Sequence, residues 1–232
     1  SIPVMRDELR REARFVEAAA RALDRAHQAG VIHRDIKPGN LMVASDGQPV
    51  ILDFGLACLV GADSPTMTRT GDKMGTLGYM APEQVFGNRD QVDPRSDVWA
   101  LGATLYQLVT GHLPLAAPTY EAMALALKTE DVTDPRTWNP AIDRDLAAIL
   151  MRALEKDRDR RYVSAAAMAD DLAAYVAGQP VTARTPNALG RFVRGCRRRP
   201  VLAASLLVTT IALLVVAGLT TYFAVEDRRL RR

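Results

Sequence analysis

One short stretch, His33-Arg34-Asp35-Ile36-Lys37-Pro38-Gly39-Asn40, gathers a carboxylate, a cation and an amide. A second carboxylate follows in Asp53-Phe54-Gly55, and Ala81-Pro82-Glu83 stands further along. Asn40 and Asp53 offer amide and carboxylate oxygens, the donor set that suits a hard cation such as Mg²⁺. Asp35 is placed to accept the proton of a hydroxyl and to orient it. Lys37 lies two residues on, so in an extended loop it projects to the same side as Asp35. A cation there offsets charge on a transferring phosphoryl group. An aligned hydroxyl, neutralised phosphate charge and a held metal are what phosphoryl transfer asks of a protein. Gly55 lets the backbone turn where a side chain would obstruct.

These groups need elements to hold them. Residues 6–29 read as one amphipathic helix, with Phe15, Ala19, Ala22, Leu23 and Ala26 at helical spacing and Gly30 as its stop. Leu41 to Ala44 and Pro49 to Leu52 read as two strands joined by the turn Ser45-Asp46-Gly47. The hairpin thus lies between the two acid-bearing motifs. From Leu56 to Met80 no period survives, and a loop of that length inside a compact domain is usually functional. Ser96 is expected to cap a helix through Val98, Leu101, Leu105 and Leu108 that stops at Gly111. Further helices are expected over Thr119–Lys128, Asp143–Lys156 and Ser164–Ala177, the last closed by Gly178. His27 and His112 have no partners by spacing, and His33 reads as a buried structural histidine.

The three motifs, in this order and with the hairpin between the first two, resemble the catalytic loop, the metal-binding turn and the end of the activation segment in protein kinases. The resemblance covers residues 1 to about 177. It implies a mainly α fold, the helical C-terminal lobe of a kinase with a small β-hairpin at the catalytic loop. It implies ATP with Mg²⁺, Mn²⁺ being an alternative ion, and protein hydroxyls as acceptors. Asp35 and Lys37 would be catalytic. Lys37, Asn40 and Asp53 would face the phosphates, with Asn40 and Asp53 on the metal. Lysine at position 37 resembles Ser/Thr kinases rather than Tyr kinases. Gly75-Thr76 would line the substrate site, Thr76 bonding toward Asp35 and Lys37. Arg34 resembles the arginine of kinases switched on by activation-loop phosphorylation, where it pairs with a phosphate dianion. Thr66, Thr68 and Thr70 are the loop's candidates, Thr68 and Thr70 standing where bacterial receptor-like kinases are phosphorylated. Trans-phosphorylation would bring two kinase copies together. Glu83 resembles a glutamate buried against a distant arginine, matched by Arg161 with Arg160 as the neighbouring alternative. Asp97 resembles the helix-start aspartate that holds the catalytic-loop backbone.

A whole kinase also carries a glycine-rich loop and a strand lysine. Lys37 is the first lysine of the 232 residues, and no G-x-G-x-x-G precedes it. The chain therefore reads as a piece of a longer protein, cut at both ends, and alone it is expected to transfer phosphate barely or not at all. A formal charge of +3 makes no case for nucleic acid, and two cysteines, Cys58 and Cys196, make no disulfide scaffold. A reducing cytosol suits the soluble part.

The charge is uneven. Residues 178–200 read as a linker whose Arg191, Arg194, Arg197, Arg198 and Arg199 suit anionic headgroups. Val201 to Val225 carries no charged side chain, and a bilayer core needs roughly 20 such residues. A membrane helix is expected over 201–223, with 224–232 opening an extracytoplasmic region. Kinase, basic linker and single span, in that order, resemble bacterial transmembrane Ser/Thr kinases. The kinase lobe would face the cytoplasm, where ATP and Mg²⁺ are. A kinase-like scaffold that binds partners without catalysis is the alternative reading. A small-molecule kinase of related fold is disfavoured by Gly75-Thr76 and by the complete Ala81-Pro82-Glu83.

Overall fold

A computed structural model describes residues 6–54, 77–86 and 92–183. Helix α1 (Arg6–Gln28) is amphipathic as its spacing demands, burying Leu9, Ala13, Val16, Ala19, Ala20 and Leu23. Gly30 ends it with φ of 81°, a left-handed value that glycine adopts without strain. A single 3₁₀ turn, Pro38–Asn40, leads into β1 (Leu41–Val43), which pairs antiparallel with β2 (Pro49–Ile51), Leu41 opposite Ile51. The helices that follow are α2 (Pro82–Phe86), α3 (Pro94–Thr110), α4 (Tyr120–Thr129), α5 (Arg144–Ala153) and α6 (Ala165–Val176). The mainly α architecture with one small hairpin matches the expectation.

The centre of the lobe is α3. It buries residues on every side, from Ser96 through Tyr106, and so it is wrapped by the other elements rather than lying on a surface. Its start is not where the sequence suggested. Asp93 is the cap, its carboxylate accepting from Arg95 N at 2.8 Å, and Pro94 occupies the first turn, where a missing N–H costs nothing. Ser96 lies inside the helix, and its hydroxyl serves Glu83 instead. Gly102 lets α3 approach α5 closely, since a Cβ there would stand 2.7 Å from the Cβ of Ala153.

Helix α1 packs along α6 and also against α3 and β2. Buried Asp24 ties the first pair together: it accepts from Ala166 N in the first turn of α6 at 3.0 Å and from Gln28 Nε2 at 2.7 Å. Thr119, Asp143 and Ser164 cap α4, α5 and α6, each accepting a backbone N–H. Helix α5 stops at Ala153 rather than reaching Lys156. Past it Glu155 N donates to the carbonyl of Arg152 at 3.3 Å, a tighter closing turn, and the carbonyls of Glu155 and Lys156 accept from the Arg161 guanidinium.

The lobe outlasts α6. Val181 and Ala183 are buried, and Asp171 accepts from the amides of Thr182 and Ala183 at 2.7 and 2.8 Å and from the Tyr162 hydroxyl at 2.8 Å. Burial, then the adjacent Asp171 carboxylate, pushes the Tyr162 phenol well above its ordinary value. Residues 178–183, read as the start of a linker, thus stay on the lobe. Among the described residues no helix is long and apolar enough to cross a membrane, and the expected span at 201–223 lies outside them.

Candidate functional site

The loop from His33 to Asn40 carries no regular structure of its own until the 3₁₀ turn, so side chains from elsewhere must fix it. Asp97, fully buried in the first turn of α3, does most of this. Its Oδ2 accepts from His33 N at 2.8 Å and its Oδ1 from Arg34 N at 2.7 Å. His27, on the last turn of α1, adds a third contact, Nε2 to Asp97 Oδ2 at 2.8 Å. The sequence showed no partner for His27. The partner lies 70 residues away and is visible only once α1 and α3 are packed.

His33 is a buried structural residue, and it also joins the two acid-bearing motifs. Its Nε2 stands 2.7 Å from the carbonyl of Leu52 and its Nδ1 3.2 Å from Asp35 N. A carbonyl needs a donor and an amide needs an acceptor, so the partners assign the proton to Nε2. The ring meets Phe54 edge-on, with centroids 4.9 Å apart. Leu52 N in turn donates to the carbonyl of Asn40 at 2.9 Å. The chain is therefore stitched on both sides of Leu52, immediately before Asp53.

Within this frame Asn40 donates through Nδ2 to the backbone carbonyl of Asp35 at 2.7 Å and to its Oδ2 at 3.1 Å. Lys37 Nζ is 3.0 Å from the same Oδ2. The other carboxylate oxygen, Asp35 Oδ1, is buried with no hydrogen-bond partner among the described residues. Two non-glycine residues described here have positive φ, Arg34 at 69° and Asp53 at 60°. That region costs an ordinary residue about 1–2 kcal/mol, and such strain clusters at functional sites. Both outliers fall in the two motifs singled out by their chemistry.

The donor set fits a hard cation. Asn40 commits its amide nitrogen to Asp35, which leaves its amide oxygen as the atom able to ligate, and Asp53 contributes an exposed carboxylate.

The segment at 77–86 is bolted in place by several contacts. Arg161 Nη1 and Nη2 reach Glu83 Oε1 and Oε2 at 2.6 and 2.7 Å, and the Ser96 hydroxyl donates to Oε1 at 2.7 Å. The partner is thus Arg161; Arg160 faces Asp157. Burial raises the Glu83 carboxyl, but the Arg161 guanidinium and the Ser96 hydroxyl outweigh it and hold it below the ordinary carboxylate value. Arg161 also donates to the carbonyls of Glu155, Arg95 and Lys156 and lies over the Trp99 ring. The Tyr79 hydroxyl donates to Gln107 Oε1 on α3. Gln84, which the sequence did not single out, reaches the His33–Asn40 loop through Nε2 to the carbonyl of Arg34 at 2.8 Å. Gly55, Thr66, Thr68, Thr70, Gly75 and Thr76 lie outside the described residues.

The protein kinase domain family matches residues 6–172. A probable serine/threonine-protein kinase of Streptomyces coelicolor is 41% identical over 174 residues, covering 75% of this chain and 25% of that protein. Serine/threonine-protein kinase PknB of Mycobacterium leprae is 39% identical over 182 residues, covering 78% and 28%. The DNA damage-responsive serine/threonine-protein kinase RqkA of Deinococcus radiodurans is 43% identical over 160 residues, covering 68% and 24%. The chain spans about a quarter of the length of these relatives. The family match takes in α1 through most of α6, the whole frame that fixes the loop and the Glu83–Arg161 pair, and on it this chain belongs to the protein kinase superfamily, in the company of bacterial Ser/Thr kinases.

Proposed function

We propose that this lobe carries the phosphoryl-transfer residues of a bacterial Ser/Thr protein kinase that uses MgATP to phosphorylate protein hydroxyls. One arrangement carries the reading. Asn40 holds both the backbone and the carboxylate of Asp35, and its own carbonyl is joined to the residue before Asp53. Asp35, Lys37, Asn40 and Asp53 are thereby tied into one short network. In the proposed roles Asp35 orients the substrate hydroxyl and accepts its proton, and Lys37, held beside that carboxylate, faces the phosphoryl group. Asn40 and Asp53 would hold Mg²⁺, which when bound draws charge from the phosphate oxygens. The glycine loop and strand lysine that complete a kinase site are not in this sequence, so activity belongs to the longer protein and little is expected of this lobe alone.

The test is phosphate transfer from labelled ATP to a protein substrate by the full-length protein, with Asp35→Asn alongside. Removing a positioned general base costs roughly 10²-fold or more, so the variant should lose the signal while melting as the wild type does. Equal transfer by both proteins would leave Asp35 without a catalytic role, and no transfer by either would favour a scaffold.

The proposal extends to the membrane. The uncharged run from Val201 to Val225, preceded by five arginines, is the sequence of a single span that holds the lobe at the inner face of a cytoplasmic membrane. The full-length protein should remain in the membrane fraction through alkaline carbonate and leave it in detergent. Release by carbonate alone would reject the span without touching the kinase reading.

A further inference from the structure

We infer that Gln84 is a positioning residue that makes the geometry of the catalytic-side loop depend on the seating of the segment at 77–86. The inference rests on the kinase reading for its consequence, not for its geometry. Gln84 is the third residue of α2, behind Ala81 at the cap position and Pro82 at the first. Its Oε1 accepts from Ala81 N at 3.0 Å, while Gln84 N donates to the carbonyl of Ala81 at 2.9 Å. That half of the side chain is an ordinary capping arrangement, in which a Glu or Gln at this position reaches back to the cap residue.

A glutamate would serve the cap equally well. What glutamine adds is a donor, and Nε2 spends it on the carbonyl of Arg34 at 2.8 Å. The orientation of the amide is not ambiguous: Ala81 N–H demands an acceptor and the Arg34 carbonyl demands a donor, so only one placement of O and N satisfies both.

The bonded residue matters. Arg34 is one of two left-handed non-glycine residues among those described, with φ of 69°, and it precedes Asp35 directly. A strained residue persists only where its surroundings over-determine it. Asp97 fixes the amide side of Arg34 and Gln84 fixes the carbonyl side. The first anchor comes from the rigid central helix. The second comes from the segment that closes with Ala81, Pro82 and Glu83. The peptide that leads into Asp35 is held at its N–H by His33 Nδ1 and at its carbonyl by Gln84, and displacing that segment removes the second hold, so the loop's geometry reports on the segment's position.

The selective variant is Gln84→Glu. It keeps an acceptor for Ala81 N and replaces the donor facing the Arg34 carbonyl by an oxygen. Gln84→Ala removes both functions. Hydrogen exchange on this chain gives a readout independent of activity. In Gln84→Glu the amides of His33, Arg34 and Asp35 should exchange roughly tenfold faster, the scale of one lost hydrogen bond, while those of α1 and α6 keep their wild-type rates. In the full-length protein, kcat for phosphate transfer should fall roughly tenfold with the KM for ATP unchanged and the melting temperature held. Exchange at residues 33–35 equal to wild type in both variants, or acceleration spread evenly over the lobe, overturns the inference, as does kcat within twofold of wild type in an active preparation of Gln84→Glu. An inactive wild type that nonetheless shows the local exchange effect would fail the kinase reading and support the coupling.

Discussion

Glu83→Gln should lower the melting temperature of the lobe by roughly 6–20 °C, the equivalent of 3–5 kcal/mol in a domain of this size. The substitution is nearly isosteric and leaves no cavity. Its effect comes from Arg161, a fully buried guanidinium whose charge is met, among the described residues, by the Glu83 carboxylate. An amide in its place offers one acceptor instead of two and turns its NH₂ toward an arginine that already donates. Arg161→Met should cost at least as much. It frees Glu83, and it also strips the carbonyls of Glu155, Arg95 and Lys156 of their shared donor. The pair has a signature in pH. The Glu83 carboxyl sits below its ordinary 4.5 in the folded lobe, so its contribution is fully present above that value and is lost as pH falls through the lower, folded one. The stability gap between wild type and Glu83→Gln should therefore be constant at neutral pH and narrow in acid below about 4.5. Thermal melts across that range decide the matter. A gap under about 1 kcal/mol at neutral pH would put the pair with exposed salt bridges and deny it any part in holding segment 77–86.

The parts of this site that were legible in the sequence are those in which residue type alone dictates chemistry. A carboxylate, a lysine and an amide within one short loop, followed by a hairpin and a second carboxylate, constrain one another strongly. Helix starts were equally readable at Thr119, Asp143 and Ser164, each of which the structure makes a cap. The same reading failed at α3, where Ser96 competed with Asp93-Pro94 and the proline, suited only to a first turn, decided the start. Beyond the reach of the sequence were bonds from side chains to backbone atoms or side chains of distant residues. His27 meets Asp97, Gln84 meets the carbonyl of Arg34, and Asp171 meets the amides of residues 182 and 183. None of these has a spacing, because the partner on one side is a peptide group that every residue possesses, or lies on a helix whose packing must be known first. The first two also belong to the frame that holds the loop, so the chemistry could be read before its geometry.

Asp97→Asn should cost both stability and turnover, and the two losses have one origin. Asp97 is fully buried and faces three donors, His33 N, Arg34 N and His27 Nε2, at 2.8, 2.7 and 2.8 Å. A carboxylate accepts from all three. An asparagine has one oxygen, so whichever way it turns, its NH₂ confronts an N–H. Placing the NH₂ at the Oδ2 position opposes two donors, so the less costly rotamer keeps oxygen there and points NH₂ at the amide of Arg34. The residue that loses its acceptor is then the left-handed one beside Asp35. Hydrogen bonds to a charged group are worth about 1.5–3 kcal/mol each, so a loss of about 3 kcal/mol is expected, seen as a melting temperature lower by roughly 6–12 °C. In the full-length protein, phosphate transfer should fall roughly 10²-fold or more, since misplacing a reacting group by about 1 Å is enough for that. His27→Ala is the informative companion. It removes one of the three donors but leaves both loop amides on the carboxylate, so it should lower stability by less and spare most of the turnover. Equal losses from the two substitutions would mean that Asp97 serves the packing of α1 on α3, and that the loop holds its shape without it.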